Sequence, residues 1–593
     1  MSVTPVELPN RAGRRAIARN RGGALGAAGV LAVGSAGALL AAFAGSAGAA
    51  STLIVDSNAD GAATAANCTD GTPGNCTLRD AAAQANNGDT INFDAGITSI
   101  TLTGGTVDFD AVNIIGPGSA NLTVTTTVYA GAYESFYFGG TGDVTISGIT
   151  ITKNRIAARH EGNLTLDDVT ITESTGLSGG ALYANNNGEL DINDSNFDNN
   201  TSFRNGGALY ANNDGAITIT GSTFTGNDAA GGSGGGLKIS GTGVTTITRT
   251  NISGNSSRRS GGGLNVGYYY ERGGSLVIDS STVSGNTAGQ EGGGLELYNI
   301  DGLTMLNSTI SGNTAGQDGG GLELYNIGGF TMLNSTISGN TAGQDGGGLE
   351  LYNIDGLTML NSTISGNTAG QDGGGLRLEY IGDALIANST IADNAGDADE
   401  GRGSALYFAN YLNGDVQILF TTISGNSAGA DTLRISRFNG FSMDLTGTII
   451  TDNTTSTGTG TLATDITSLD MMYRLLTLTN SLVMGVIDTG GEVDGGGNLF
   501  GVSALLGALA DNGGATKTMA LLTGSPAIDA GPLTWTAFDG DGFDQRATPF
   551  LRVYGTSADM GAYEVQPDPE PEPEPTTTTT TVGIDPVVPA FTG

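Results

Sequence analysis

One leucine recurs along most of this chain at a nearly fixed interval. Leu182, Leu209, Leu237, Leu264, Leu295, Leu322, Leu349, Leu376, Leu406 and Leu433 each close a recurrent phrase, in most units Gly-Gly-x-Leu. The steps are 27 or 28 residues, apart from 31 after Leu264 and 30 after Leu376. Residues 295–321 and 349–375 are identical, and the copy between them differs only at Gly328 and Phe330. A unit this short cannot bury its own apolar face, so the repeats must stack on one another.

Within a unit the apolar residues alternate. Leu295-Glu296-Leu297, Leu303-Thr304-Met305 and Thr309-Ile310-Ser311 each put every second side chain on one face, which is the pattern of a strand buried on one side. Gly and Asn-Gly clusters between these runs are turn signals. No helical period of useful length appears. Three short strands per unit predict one turn of a parallel β-helix, an all-β solenoid with coils of about 27 residues and capped ends. The leucine-rich-repeat frame does not recur, and a propeller blade needs about 40 residues.

Stacking in register makes columns of like residues, about 4.8 Å apart. Asn307, Asn334, Asn361 and Asn388 form one predicted amide ladder, and Asn313, Asn340, Asn367 and Asn394 another. Glu296, Glu323 and Glu350 fall in line and are followed by Arg377. Glu291, Asp318, Asp345 and Asp372 form a second acidic line. Such carboxylates either repel one another, with relief from calcium or salt, or splay into solvent.

The N-terminus reads as a signal peptide over residues 1–49. Arg11, Arg14, Arg15, Arg19 and Arg21 precede an apolar small-residue run that ends in Ala47-Gly48-Ala49. No later stretch is long and apolar enough to span a bilayer. Without the leader the chain has 18 basic and 58 acidic residues, a net charge of −40. Such a surface repels nucleic acid and anionic lipid. Cys68 and Cys76, an even pair in an exported chain, are expected to form a disulfide. Residues 50–92 read as an N-terminal cap with a short helix from Leu78. Residues 93–500 read as the coils, 501–565 as a C-terminal closing unit, and 566–593 as a disordered tail rich in Pro, Glu and Thr.

Several strings resemble known families. Gly179-Gly180-Ala181-Leu182 with Phe197-Asp198-Asn199-Asn200, and Gly206-Gly207-Ala208-Leu209 with Phe224-Thr225-Gly226-Asn227, resemble the repeats of polymorphic outer membrane proteins. Cys76-Thr77-Leu78-Arg79-Asp80-Ala81 is similar to the CSLREA box of bacterial surface β-helix proteins. Gly524-Ser525-Pro526-Ala527-Ile528-Asp529, Asp544-Gln545-Arg546 and Asp559-Met560-Gly561-Ala562-Tyr563-Glu564 resemble the choice-of-anchor domain that closes them. The resemblance implies a surface-exposed, right-handed parallel β-helix of the pectin-lyase-like fold, mostly without an assigned activity.

The fold also carries polysaccharide lyases, hydrolases and epimerases, so catalysis must be argued from residues. The sole histidine, His160, lies in a turn-like string, and no paired Asp-Asp box occurs. A catalytic site needs unique residues on adjacent coils, whereas the central coils are near-copies. No catalytic residues are assigned. Asp56, Asn58 and Asp60 place oxygen donors at alternate positions before a Gly, and Asp539, Asp541 and Asp544 pack three carboxylates into six residues, patterns that can wrap Ca²⁺ and that also form ordinary turns. Calcium is the only cofactor these strings imply. The longer step after Leu264 contains Tyr268, Tyr269 and Tyr270, either an exposed contact site for glycan or protein or rings packed back on the coil. The expected role is a secreted or cell-surface structural and adhesive protein, extracellular, without catalytic activity, binding glycan or a host or neighbouring cell-surface protein. The alternative is a polysaccharide-active enzyme.

Overall fold

The computed structural model describes residues 50–566, apart from 69–72, 128–133, 160, 186–187, 269–271, 398–401, 413, 430, 439–441, 456–465, 469–475 and 488–491. Residues 1–49, expected to be a signal peptide, residues 567–593 of the expected tail, His160, Tyr269 and Tyr270 therefore lie outside the described residues.

The repeating runs form strands that pair in parallel with their counterparts one coil away. Leu295–Tyr298 lies between Leu264–Gly267 and Leu322–Ile327. Leu303–Leu306 lies between Leu276–Asp279 and Phe330–Leu333, and Thr309–Ser311 between Thr282–Ser284 and Thr336–Ser338. About 12 coils wind into a right-handed parallel β-helix. Each central coil also has a fourth strand of two residues, such as Thr314–Ala315, which is too short to show an alternating pattern in sequence.

The inward side chains do what alternation requires. Leu295, Leu297, Leu303, Met305 and Ile310 are at most 2% exposed. Burying each such side chain stabilises by about 1.5–3 kcal/mol. The Gly-Gly-Gly phrase has a backbone cause. Gly292 takes φ 63°, and a Cβ on Gly293 would meet the Gly320 carbonyl oxygen at 2.3 Å and Thr314 C at 2.5 Å. These turns pack main chain on main chain, so only glycine fits.

Stacking begins inside the expected cap, because Thr52–Val55 already pairs in parallel with Thr90–Phe93. Cys68 and Cys76 are bonded, with their Cα atoms 4.7 Å apart. The helix Leu78–Gln84 starts at Thr77 with a capping box. The Thr77 hydroxyl accepts from the Asp80 N–H, and the Asp80 carboxylate accepts from the Thr77 N–H, both at 3.1 Å. Leu78, Ala81 and Ala82 join Leu53, Val55, Val107 and Phe109 in the first layer of the core. Arg79 reaches Asp60 at 2.8 Å and the Thr106 carbonyl at 2.6 Å.

The C-terminal unit abandons the coil pattern. Its bridges, Leu506–Leu521, Ala510–Thr518 and Phe543–Leu551, are antiparallel. It lies along the flank of the later coils. Trp535 and Phe538 pack on Leu360, Ala387, Leu419 and Phe420, and Met560 and Ala527 pack on Ile449 and Leu482. Gln545 donates to Thr363 Oγ1 at 2.9 Å and accepts from Thr390 Oγ1 at 2.6 Å. Thr336, on the same face one coil upstream of Thr363, is only half-buried, whereas Thr363 is fully buried. Among the described residues no helix is long and apolar enough to cross a membrane.

Candidate functional site

The residue after each recurrent leucine points away from the core. In register these residues form one column: Tyr183, Tyr210, Lys238, Asn265, Glu296, Glu323, Glu350, Arg377, Tyr407 and Arg434. Its middle does not splay into solvent. Glu323 is 5% exposed and Glu350 3%, and Oε2 of Glu323 has no hydrogen-bond partner among the described residues. The second acidic line runs beside it. Asp318 accepts from the Asp345 N–H at 3.0 Å, and Asp345 from the Asp372 N–H at 3.1 Å. Burial pushes the Glu323 carboxyl well above its ordinary value, and the carboxylates of Glu350, Glu291, Asp318 and Glu296 add to the rise. Asp372 is raised for the same reasons, burial first and then Asp345.

Arg377 ends this run. Its guanidinium meets Glu350 at 2.6 Å, Glu379 at 2.6 Å and Asp345 at 3.4 Å. Burial works against its charge, but Glu350, Asp345 and Glu379 more than offset this and hold the guanidinium protonated. Asp318, Asp345 and Glu350 bring carboxylate oxygens within 4.8 Å of one another, a spacing suited to a divalent ion. Two of the three are already paired with Arg377, which supplies the positive charge such an ion would bring.

The calcium strings do not assemble as expected. Asp56 accepts from the Gly74 and Cys76 N–H groups at 2.8 Å. Asp60 instead binds Arg79 and accepts from the Thr103 and Gly104 N–H groups, while Asn58 is exposed. The two carboxylates thus face different partners. In the second string Asp539 is exposed, whereas Asp544 is fully buried and meets Arg546 at 2.6 Å. Among the described residues these three acids do not share a shell. Arg546 is clamped between Phe550 and Tyr563, 3.9 and 3.8 Å from the ring centroids, so Asp544 belongs to the wall of the closing unit.

The two predicted amide ladders differ. The inner one is continuous. Asn313 donates to Asn340, Asn340 to Asn367, Asn367 to Asn394 and Asn394 to Asn426, each at 2.9 Å. It extends upstream through Asn286, Asn255 and Asn227 to Asn200, and downstream to Asn453. Asn307, Asn334, Asn361 and Asn388 do not form such a chain. They take φ of 46–51°, a turn conformation that asparagine tolerates. Asn334 donates to Asn307 at a long 3.4 Å, Asn361 Oδ1 is buried without a partner among the described residues, and Asn388 is claimed by Arg552 and the Phe543 carbonyl.

On the outer face Tyr298, Tyr325 and Tyr352 stack at 4.7 and 4.8 Å between centroids. Asn353 donates to Asn326, and Asn326 to Asn299, beside them. Sequence reasoning missed both rows, although their 27-residue recurrence was the available signal. Tyr268 is 53% exposed, as a protruding contact requires. A shallow depression is lined by Thr358, Asp383, Leu385, Asp415 and Gln417. Its carboxylates accept from the neighbouring coils' main chain, Asp383 from Asp415 N–H and Asp415 from Ser442 N–H.

Residues 91–243, 179–343 and 273–468 match the family model described as right-handed beta helix region. No curated protein matches. Among solved structures, the A-module of the Azotobacter vinelandii mannuronan C-5 epimerase AlgE6 is 14% identical. The match covers 70% of this chain and 91% of that one, with a TM-score of 0.37. The AlgE4 A-module from the same organism is 13% identical over 69% and 91%, with a TM-score of 0.33. Pectate lyase Pel9A is 13% identical over 87% and 96%, with a TM-score of 0.30. At this distance no activity is carried over from them.

Proposed function

The chain belongs to the right-handed beta helix family, and from that premise we propose that it is a secreted or cell-surface structural and adhesive protein. One observation carries this reading. The inner asparagines run through the central coils as one continuous column, Asn200–Asn453, whose side chains satisfy one another from coil to coil, as a stacking scaffold requires. What such a scaffold offers outward is a repeated surface, here the stacked Tyr298, Tyr325 and Tyr352 with Tyr268 upstream. Aromatic rings give rigid amphipathic contact area for a glycan or a neighbouring cell-surface protein. The Cys68–Cys76 disulfide suits an oxidising exterior, and the leader-like residues 1–49 suit export. The strings at Cys76–Ala81 and 524–564, which resemble those of CSLREA and choice-of-anchor surface proteins, support the same reading.

The test is a panel of soluble and insoluble glycans assayed for retention and for chain cleavage. The expected result is retention of some members with no new reducing or unsaturated ends. Appearance of such ends would replace this reading with a polysaccharide-active enzyme.

A further inference from the structure

Lys238, Asn265 and Glu296 stand in register on three successive coils. Only three lysines occur in the chain, the others being Lys153 and Lys517. The Lys238 amine donates to the side-chain oxygen of Asn265 and, at 2.7 Å, to the Gly267 carbonyl. The Asn265 amide nitrogen donates to a carboxylate oxygen of Glu296. Asn265 is 6% exposed, so water has little access to its amide carbon. An amine, a carboxamide and a carboxylate are therefore held in contact in one sheltered row.

We propose that Lys238 and Asn265 become joined by an intramolecular amide bond, formed without a second enzyme and with Glu296 as proton carrier. The Lys238 Nζ lone pair attacks Cγ of Asn265, and the Nζ–Cγ bond forms. Glu296 takes the proton released from Nζ and delivers it to Nδ2, which it already contacts. The Cγ–Nδ2 bond then breaks and Nδ2 leaves as ammonia. One amine and one carboxamide give one secondary amide and one ammonia, with no oxidant or reductant. The attack needs an uncharged amine. Burial lowers the Lys238 pKa to about 8, with Glu296 opposing, so part of the population carries the nucleophile near neutral pH. Holding the groups in contact supplies the proximity that makes such a reaction effectively unimolecular.

The bond ties two coils covalently just before the long step that carries Tyr268, where a pull on an exposed contact would first load the stack. The experiment is mass spectrometry of the intact, unfolded and reduced full chain, followed by a tryptic map. The expected mass is one ammonia below that of the exported sequence. Trypsin should not cut after Lys238, and a linked peptide should join the segments containing Lys238 and Asn265. Glu296→Gln and Asn265→Ala should restore the full mass and cleavage after Lys238. A wild-type chain of full mass that is cut at Lys238 overturns the proposal. So does an ammonia loss that persists in Lys238→Arg, since that would mark an asparagine that cyclised on its own backbone.

Discussion

Two columns run through the same coils and obey opposite rules. The inner asparagines continue from Asn200 to Asn453, whereas the glutamates last for three coils, from Glu296 to Glu350. Both come from duplicating one unit. An amide has donors and an acceptor, so a copy stacked on a copy satisfies itself. Asn340 accepts from the Asn313 N–H and side chain, and donates to Asn367 and to the Ile310 carbonyl. An ionised carboxylate only accepts, so each added copy adds repulsion and no bond. The glutamate row is accordingly interrupted, by Asn265 at one end and Arg377 at the other. Duplication can extend a self-complementary column without limit, but it must break off one of a single charge.

The harshest way to break this contrast is to remove the terminating cation. Arg377→Met should destabilise by about 3–5 kcal/mol, because it strands Glu350, Glu379 and Asp345 in a sheltered site. Melting of the variant should then respond to calcium added against chelator, through Asp318, Asp345 and Glu350, while the wild type should not. Cutting the amide column should cost somewhat less. Asn340→Ala strands the Asn313 N–H and amide donors on one neighbouring coil and takes a donor from Asn367 on the other, and should lose about 2–4 kcal/mol in denaturant unfolding. Asn334→Ala, in the discontinuous outer row, should lose about 1–2 kcal/mol, chiefly from its left-handed backbone. Glu323→Gln runs the other way and should gain about 1 kcal/mol at pH 8 by removing one carboxylate from the row. Smallest of all, Tyr268→Ser should change stability by less than about 0.5 kcal/mol while weakening glycan retention.

How much of this was legible depended on periodicity. The 27-residue step set the register, and with it the acidic lines and the inner ladder. The same arithmetic, applied to the residue after each leucine, places Lys238 beside Asn265 and Glu296. The shelter around Glu323 was not legible, because alternation marks its side of the strand as outward and the adjacent turn that covers it is a tertiary feature. The closing unit was harder still. Gln545 meets Ser362 and Thr363 at sequence separations of 183 and 182 residues, and no repeat signals that contact. For the same reason the sequence alone makes Asp544 resemble an oxygen donor for calcium, since its partner Arg546 and the rings around it are brought together only by the non-repeating fold.

The account rests on the glutamate row being sheltered and coupled, and the pH dependence of melting tests that directly. A carboxyl raised above its ordinary 4.5 binds its proton more tightly in the folded state. Its contribution is therefore full below pH 4.5 and is lost as pH rises through the folded value. Glu564, raised by burial to about 8, acts in the same sense. Asp60, Asp80 and Asp89 are held below 3.8 by hydrogen bonds that outweigh burial, and they matter only at lower pH. Wild type and Glu323→Gln should be melted side by side from pH 5 to 8. The account predicts that the wild type loses stability across this range, and that the variant loses distinctly less, keeping only the share due to Glu564 and the remaining acids. Parallel curves with the same slope would contradict it, because Glu323 would then behave as a solvated side chain.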